Sequence, residues 1–269
     1  MIPYDIAPIK KIQCSIALCF LAPLFLFAQE DFSPAIEDNS FYIEEAYNQE
    51  AGVVQHIFTG EHLAESPGGT NFTLTHEFPA DGLTNQLSYT VSYPTVANGT
   101  TLIYVNYRYQ LFYKQDFAAV APRVSFYVPF HSPAPSLQRM SAQINIPFSK
   151  RMSNDFVVHF NAGATSERSH YGRGDESSTS FVWNTGGSII WLSSENINFL
   201  LEGVVLLNPK NKTENKTILC PGIRFALNFD RTQVVPGIGF PAEYSNSQWN
   251  FGTFFYFSVE LPYWNSERL

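Results

Sequence analysis

The chain has 269 residues and a formal net charge of -8; 15% of its residues are charged and 16% are aromatic. No basic stripe is present to neutralise phosphates, which excludes nucleic acid as a partner. Beyond residue 30 no uninterrupted apolar run approaches the ~18 residues of a membrane helix, which excludes a helical membrane protein.

The chain begins with a targeting pattern. Lys10 and Lys11 precede "IQCSIALCFLAPLFLFA", which ends at Ala28. A positive start, an apolar stretch and a small final residue describe a secretory signal peptide, expected over 1–28. Cys14 and Cys19 fall inside it, so Cys220 is the only cysteine expected in the exported chain. A disulfide framework is therefore not expected. Next comes a segment, 29–51, that holds the acidic cluster Glu44, Glu45 and Glu50.

From residue 52 onward the sequence reads in steps of two. Successive side chains of a strand point to opposite faces. The stretch "GVVQHIFTG" (52–60) has ambiguous parity, and its faces stay unassigned. In "TNFTLTHEF" (70–78), Phe72 and Leu74 oppose Thr73, Thr75 and Glu77, and His76 lands on the apolar side. Leu87, Tyr89, Val91 and Tyr93 oppose Gln86, Ser88, Thr90 and Ser92. From 102 to 113, Ile103, Val105, Tyr107, Tyr109, Leu111 and Tyr113 oppose Asn106, Arg108 and Gln110. That run is about twice the usual strand of roughly 5–6 residues, and it matches the roughly 9–11 residues of a membrane-crossing strand.

The same split continues to the end. Val124, Phe126 and Val128 oppose Arg123; Ile144 and Ile146 oppose Arg139 and Asn145; Phe156 and Phe160 oppose His159 and Asn161. Phe181 and Trp191 oppose Asn184, Leu201 opposes Glu202, Ile223 opposes Arg224, and Phe257 opposes Glu260. Val234, Ile238 and Phe240 form a shorter set. About twelve strands result.

The connections alternate in length. "GEHLAESPGG", "PTVANG", "HSPAPS", "TSERSHYGRGDESS", "NPKNKTENK" and "AEYSNSQ" are long; "PADGLTN", "KQDFA", "SKRMSN", "SSEN" and "DRTQ" are mostly shorter. Alternating long loops and short turns mark outer-membrane barrels. In lipid the backbone must satisfy its polar groups internally, so a sheet has to close on itself. The expectation is an all-β fold: a transmembrane antiparallel up-and-down barrel over 52–264, followed by a tail at 265–269. Apolar residues face lipid, and Asn106, Arg108, Arg123, Arg139, His159, Glu202, Arg224 and Glu260 line the lumen. Tyr93, Tyr113, Phe130, Phe148, Trp191, Phe229, Tyr263 and Trp264 stand near strand ends, where interfacial aromatics belong. A soluble sandwich explains the alternation, but not the strand length or the loop asymmetry.

The stretch "NSFYIEEAYNQEAGVVQHIF" (39–58), after a signal peptide and ahead of this pattern, resembles the start of a family of bacterial outer-membrane transporter barrels. That family is related to the barrels labelled "MetA-pathway of phenol degradation". The resemblance implies passage of small solutes, hydrophobic ones among them, across the outer membrane of a Gram-negative bacterium. It also implies outer-membrane lipid and the barrel-insertion machinery as partners. The chain departs from the common pattern at its end, where "NSERL" follows Trp264.

Two roles fit the acidic cluster. The segment 29–51 is either a solvated periplasmic tail or a plug whose Glu44, Glu45 and Glu50 pair with lumen arginines. The arginines set anion preference, or they are satisfied by Glu202 and Glu260; a narrow interior favours the second. No cofactor or metal is expected: HExxH and CxxC are absent, and the six histidines have no ligand spacing. His131-Ser132 lies in a Pro-rich turn, so an enzyme is not expected. The "GRGD" at 172–175 and the N-x-S/T triplets at Asn71, Asn98, Asn211 and Asn215 read as polar loop or strand residues. The alternative to a channel is a non-conducting structural or adhesive barrel.

Overall fold

A computed structural model of the chain describes residues 40–64, 69–81, 84–95, 99–113, 116–131, 140–170, 177–229 and 232–262. The expected signal peptide and tail lie outside the described residues, as do Arg139, Tyr263, Trp264 and the "GRGD" stretch.

Fifteen strand segments follow one another: β1 (Val53–Leu63), β2 (Thr70–Asp81), β3 (Asn85–Pro94), β4 (Thr101–Tyr109), β5 (Ala119–Val120), β6 (Arg123–His131), β7 (Met140–Arg151), β8 (Phe156–His170), β9 (Ser177–Leu192), β10 (Ile197–Leu207), β11 (Lys216–Phe225), β12 (Leu227–Phe229), β13 (Thr232–Gly239), β14 (Ala242–Ser245) and β15 (Gln248–Pro262). Three short segments extend longer ones. Both β5 and β6 pair with β7, both β12 and β11 with β13, and both β13 and β14 with β15. The result is twelve antiparallel staves. The seam closes where β1 meets β15, from Val53 opposite Pro262 to Leu63 opposite Gly252. With that pairing the sheet has no free edge, as a wall in hydrocarbon requires.

The register decides which side chains look outward. Val105, Phe126, Ile144, Phe160, Ile189, Leu201, Leu219 and Phe255 are all exposed. Among the described side chains, the outward positions of the strands hold no Asp, Glu or Arg. Their Lys is Lys150 near the end of β7, its ammonium 3.3 Å from the centre of the Phe117 ring. The inside is polar: Gln55, Gln86, Asn106, Arg108, Asn145, His159, Asn198, Glu202, Arg224 and Glu260 are buried. This inverts the burial rule of a soluble domain.

The parity of β1 follows from its partners. Gln55 lies opposite Glu260 on the inner face, so His56 faces outward, opposite His76. Their Nδ1 atoms are 2.5 Å apart, and the His76 ring stacks on Tyr89 at 4.8 Å. The outward placement of His76 thus comes with a histidine partner across the strand pair. Of the strand-end aromatics, Tyr93, Phe130, Trp191 and Phe229 are exposed, while Tyr113 and Phe148 are half-buried.

Several connections differ from the sequence expectation. In "TSERSHYGRGDESS" the described residues, 165–170 and 177–178, are strand, because the β8–β9 ladder continues through Arg168–Thr179 to His170–Ser177. Ladder bonds are made by backbone and do not need apolar side chains. "AEYSNSQ" contains β14 and a two-residue hairpin turn, with Asn246 and Ser247 at φ 50° and 64°; both central residues at positive φ suit the twist of the flanking strands. In the opposite direction, β4 stops at Tyr109 rather than reaching Tyr113. Gln110 turns inward and is buried, and beyond β4 Phe112 makes a single bridge to Val120.

Outward charge is costly in such a wall. Val105→Arg, at the middle of β4, is expected to cost about 2–4 kcal/mol. Urea unfolding in lipid vesicles, followed by tryptophan fluorescence, measures it; a loss below about 1 kcal/mol would place Val105 out of lipid.

Candidate functional site

The lumen is not empty. Residues 40–50 precede β1 and run inside the barrel as a strap, bent at 41–43 and at 46, with no strand partner among the described residues. A buried backbone must find hydrogen-bond partners, and here side chains of the wall supply them. The N–H groups of Phe41 and Tyr42 donate to the Glu202 carboxylate at 3.1 and 2.9 Å. Asn161 reads both faces of Glu44: its Oδ1 accepts the Glu44 N–H at 2.8 Å, and its Nδ2 donates to the Glu44 carbonyl at 2.6 Å. Ser149 Oγ accepts the Ala46 N–H at 2.7 Å. Gln110 donates to the Ala46 carbonyl at 2.7 Å and accepts the Asn48 N–H at 3.0 Å. Gln86 accepts the Gln49 N–H at 2.5 Å. The strap then turns into the wall: Val53 N–H donates to the Glu50 carbonyl at 3.1 Å, with Gly52 at φ 80° in the position a type II turn reserves for glycine.

Charge holds the middle of the strap. Arg108 Nη1 lies 3.7 Å from Glu44 and 3.5 Å from Glu45, and donates to the Glu45 carbonyl at 2.7 Å. Its Nη2 lies 3.4 Å from Glu77 of β2. Arg123 Nε lies 3.1 Å from the other Glu44 oxygen. Three carboxylates therefore face two guanidiniums away from bulk water, where such contacts are stronger than at a surface.

An aromatic side chain anchors the far end. The Phe41 ring stacks on Phe254 of β15 at 5.1 Å and tilts against Tyr256 at 5.8 Å. Beneath it the wall is glycine. A Cβ at Gly222, Gly237 or Gly239 would sit 2.3, 3.1 or 2.8 Å from the ring, so these positions leave the space that Phe41 fills. Tyr42 also packs on Phe254, its ring tilted at 5.0 Å, and its hydroxyl donates to Glu61. Burial first, and the Glu61 carboxylate second, push the Tyr42 phenol well above its ordinary value.

The remaining sequence-derived residues divide clearly. Asn106 donates to Ser88 Oγ at 3.1 Å, and His159 Nδ1 lies 2.7 Å from Ser149 Oγ. Arg224, fully buried, donates to Asn198 at 3.2 Å, and Glu260 accepts from Gln55 at 3.0 Å. Glu50 is exposed in the turn ahead of β1. The expectation that Glu202 and Glu260 neutralise the arginines is corrected for Arg108 and Arg123: their carboxylate partners are Glu44, Glu45 and Glu77, because the strap lies between the walls. Sequence reading passed over Glu77 as an arginine partner, and over the three glycines and Phe254. Inward parity was the available signal for all of them.

No protein-family model matches the chain, and no curated protein does. Solved structures do. KdgM porin superposes with a TM-score of 0.54 at 12% identity, over 77% of this chain and 98% of that one. KdgM porin in complex with disordered oligogalacturonate gives 0.53 at 10% identity, over 77% and 98%. The chain shares the closed antiparallel-barrel fold of these structures. The translocator domain of the autotransporter NalP from Neisseria meningitidis gives 0.48 at 10% identity, over 79% and 89%. At such identities the likeness concerns architecture alone. The family resemblance read at 39–58 has no matching family model beside it.

Two substitutions test this arrangement. Arg108→Ala leaves Glu45 and Glu77 without their cation and is expected to cost about 3–5 kcal/mol in denaturant unfolding. Gly222→Val puts side-chain atoms where Phe41 lies; a Glu-specific protease should then cut at Glu44 and Glu45 at least tenfold faster than in the parent protein.

Proposed function

We propose that this protein is an outer-membrane channel for small solutes, hydrophobic ones among them, and that its own N-terminal segment closes it. On this reading residues 1–28 are a cleaved signal peptide, 29–51 a periplasmic segment whose described part is the plug, 52–264 the barrel and 265–269 a tail. The barrel-insertion machinery delivers it to outer-membrane lipid. Solute passage through a polar lumen needs no catalytic group, so the protein acts without chemistry on its cargo.

The observation that carries this reading is the pairing of Arg108 and Arg123 with Glu44 and Glu45 across the lumen. Asn106, His159, Arg224 and Glu260 belong to the polar wall along which a solute moves once the strap is out. The porin likeness supports the architecture such a path needs. A non-conducting structural barrel is the second reading, favoured by the number of wall side chains that hold the strap backbone.

Single-channel recording in planar bilayers separates the two. The parent protein is expected to give rare or small steps, and Glu44→Ala with Glu45→Ala larger and longer ones. Identical traces from both would remove the plug. Arg108→Ala with Arg123→Ala leaves Glu44, Glu45 and Glu77 uncompensated and is expected to shift ion selectivity toward cations; unchanged selectivity would place these groups away from the ion path.

A further inference from the structure

The strap is recognised in an unusual way for an internal plug. Much of its polar contact with the wall goes to its backbone, while Ser40, Tyr42, Glu44, Glu45 and Asn48 are also met through their side chains. Glu202, Asn161, Ser149 and Gln110 meet the N–H groups of residues 41, 44, 46 and 48. Asn161 and Gln110 also donate to carbonyls of the same segment. Backbone reading of this kind gives affinity without dictating sequence, and the pockets for individual side chains give specificity. Two side-chain pockets stand out: the glycine-floored slot under the Phe41 ring and the Arg108–Arg123 pair that takes the Glu44 carboxylate.

Such a surface does not depend on the strap being joined to β1. The junction at Glu50 and Ala51 is exposed. We propose that the lumen is a peptide-binding groove and that residues 40–49 are its resident ligand. When the resident segment is out, the groove takes an extended peptide in trans. The peptide carries an aromatic side chain and, three residues on, a carboxylate. The inference names a cargo class for the channel reading and rests on the strap leaving the lumen, as that reading requires.

The test keeps the full chain. A protease recognition sequence is inserted between Glu50 and Ala51, the protein is folded, and the junction is cut. A fluorescent peptide with the sequence of residues 39–51 is then added, and anisotropy is followed in detergent micelles. The groove predicts that the cut segment is either retained through washing or exchanged for the labelled peptide. Peptides with Phe41→Ala or Glu44→Ala should bind at least tenfold more weakly, since each loses one of the two side-chain pockets. A peptide that keeps only the aromatic residue and the carboxylate three positions on should compete. Where the insertion prevents folding, the uncut Phe41→Ala chain, with its resident segment weakened, serves as the receptor for the same peptides.

Loss of the cut segment with no rebinding overturns the proposal, and so does equal binding of a scrambled peptide. Binding of the 39–51 sequence alone, with no competition from the minimal peptide, overturns the cargo class. Anisotropy does not depend on conductance. A barrel that binds the peptide but never conducts keeps the groove and removes the channel, and one that conducts without binding does the reverse.

Discussion

Everything in this molecule depends on the pairing of β1 with β15. A sheet in hydrocarbon has no water to meet the backbone groups at its edges, and the seam from Val53–Pro262 to Leu63–Gly252 leaves it none. Once the wall is a closed ring, side-chain alternation sorts every residue into lipid or lumen. The apolar set must then face outward, and buried polarity becomes the rule inside.

That polar interior sets a second requirement. Carboxylates and guanidiniums withdrawn from bulk water need partners close by, and a wall built of alternate residues cannot always place them opposite one another. The strap supplies what the wall lacks. Glu44 and Glu45 reach Arg108 and Arg123 from the centre of the lumen, beside the wall's own Glu77. In return the amides, hydroxyls and Glu202 of the wall meet the backbone of a segment that has no strand to pair with. Strap and wall satisfy one another.

The barrel was legible in the sequence because side-chain alternation follows from covalent geometry and the lipid face tolerates almost no charge. Strand ends were less legible. Whether a ladder continues past the lipid depends on backbone pairing, which Ser, Thr and Arg support as well as apolar residues do; β8 and β9 illustrate this. The acidic cluster at Glu44 and Glu45 was visible, but its path was not, since a strap bonded to scattered side chains has no period. Gly222, Gly237 and Gly239 carry no side chain to signal a site, and their meaning appears only when the Phe41 ring is set on them. Phe254 is an aromatic on the polar parity of β15, a misfit of the same kind as His76 but turned inward.

The strap also sits first in the described chain, while the partners of its first residues come late. Its contact with Glu202 spans 161 positions, and Phe41 rests on strands from the last quarter of the sequence. Contacts of such separation form after most of the chain is in place. The strap therefore contributes little to assembling the ring and much to how slowly the finished ring comes apart: a late-fastened clasp, which acts on lifetime rather than on the route by which the molecule is made.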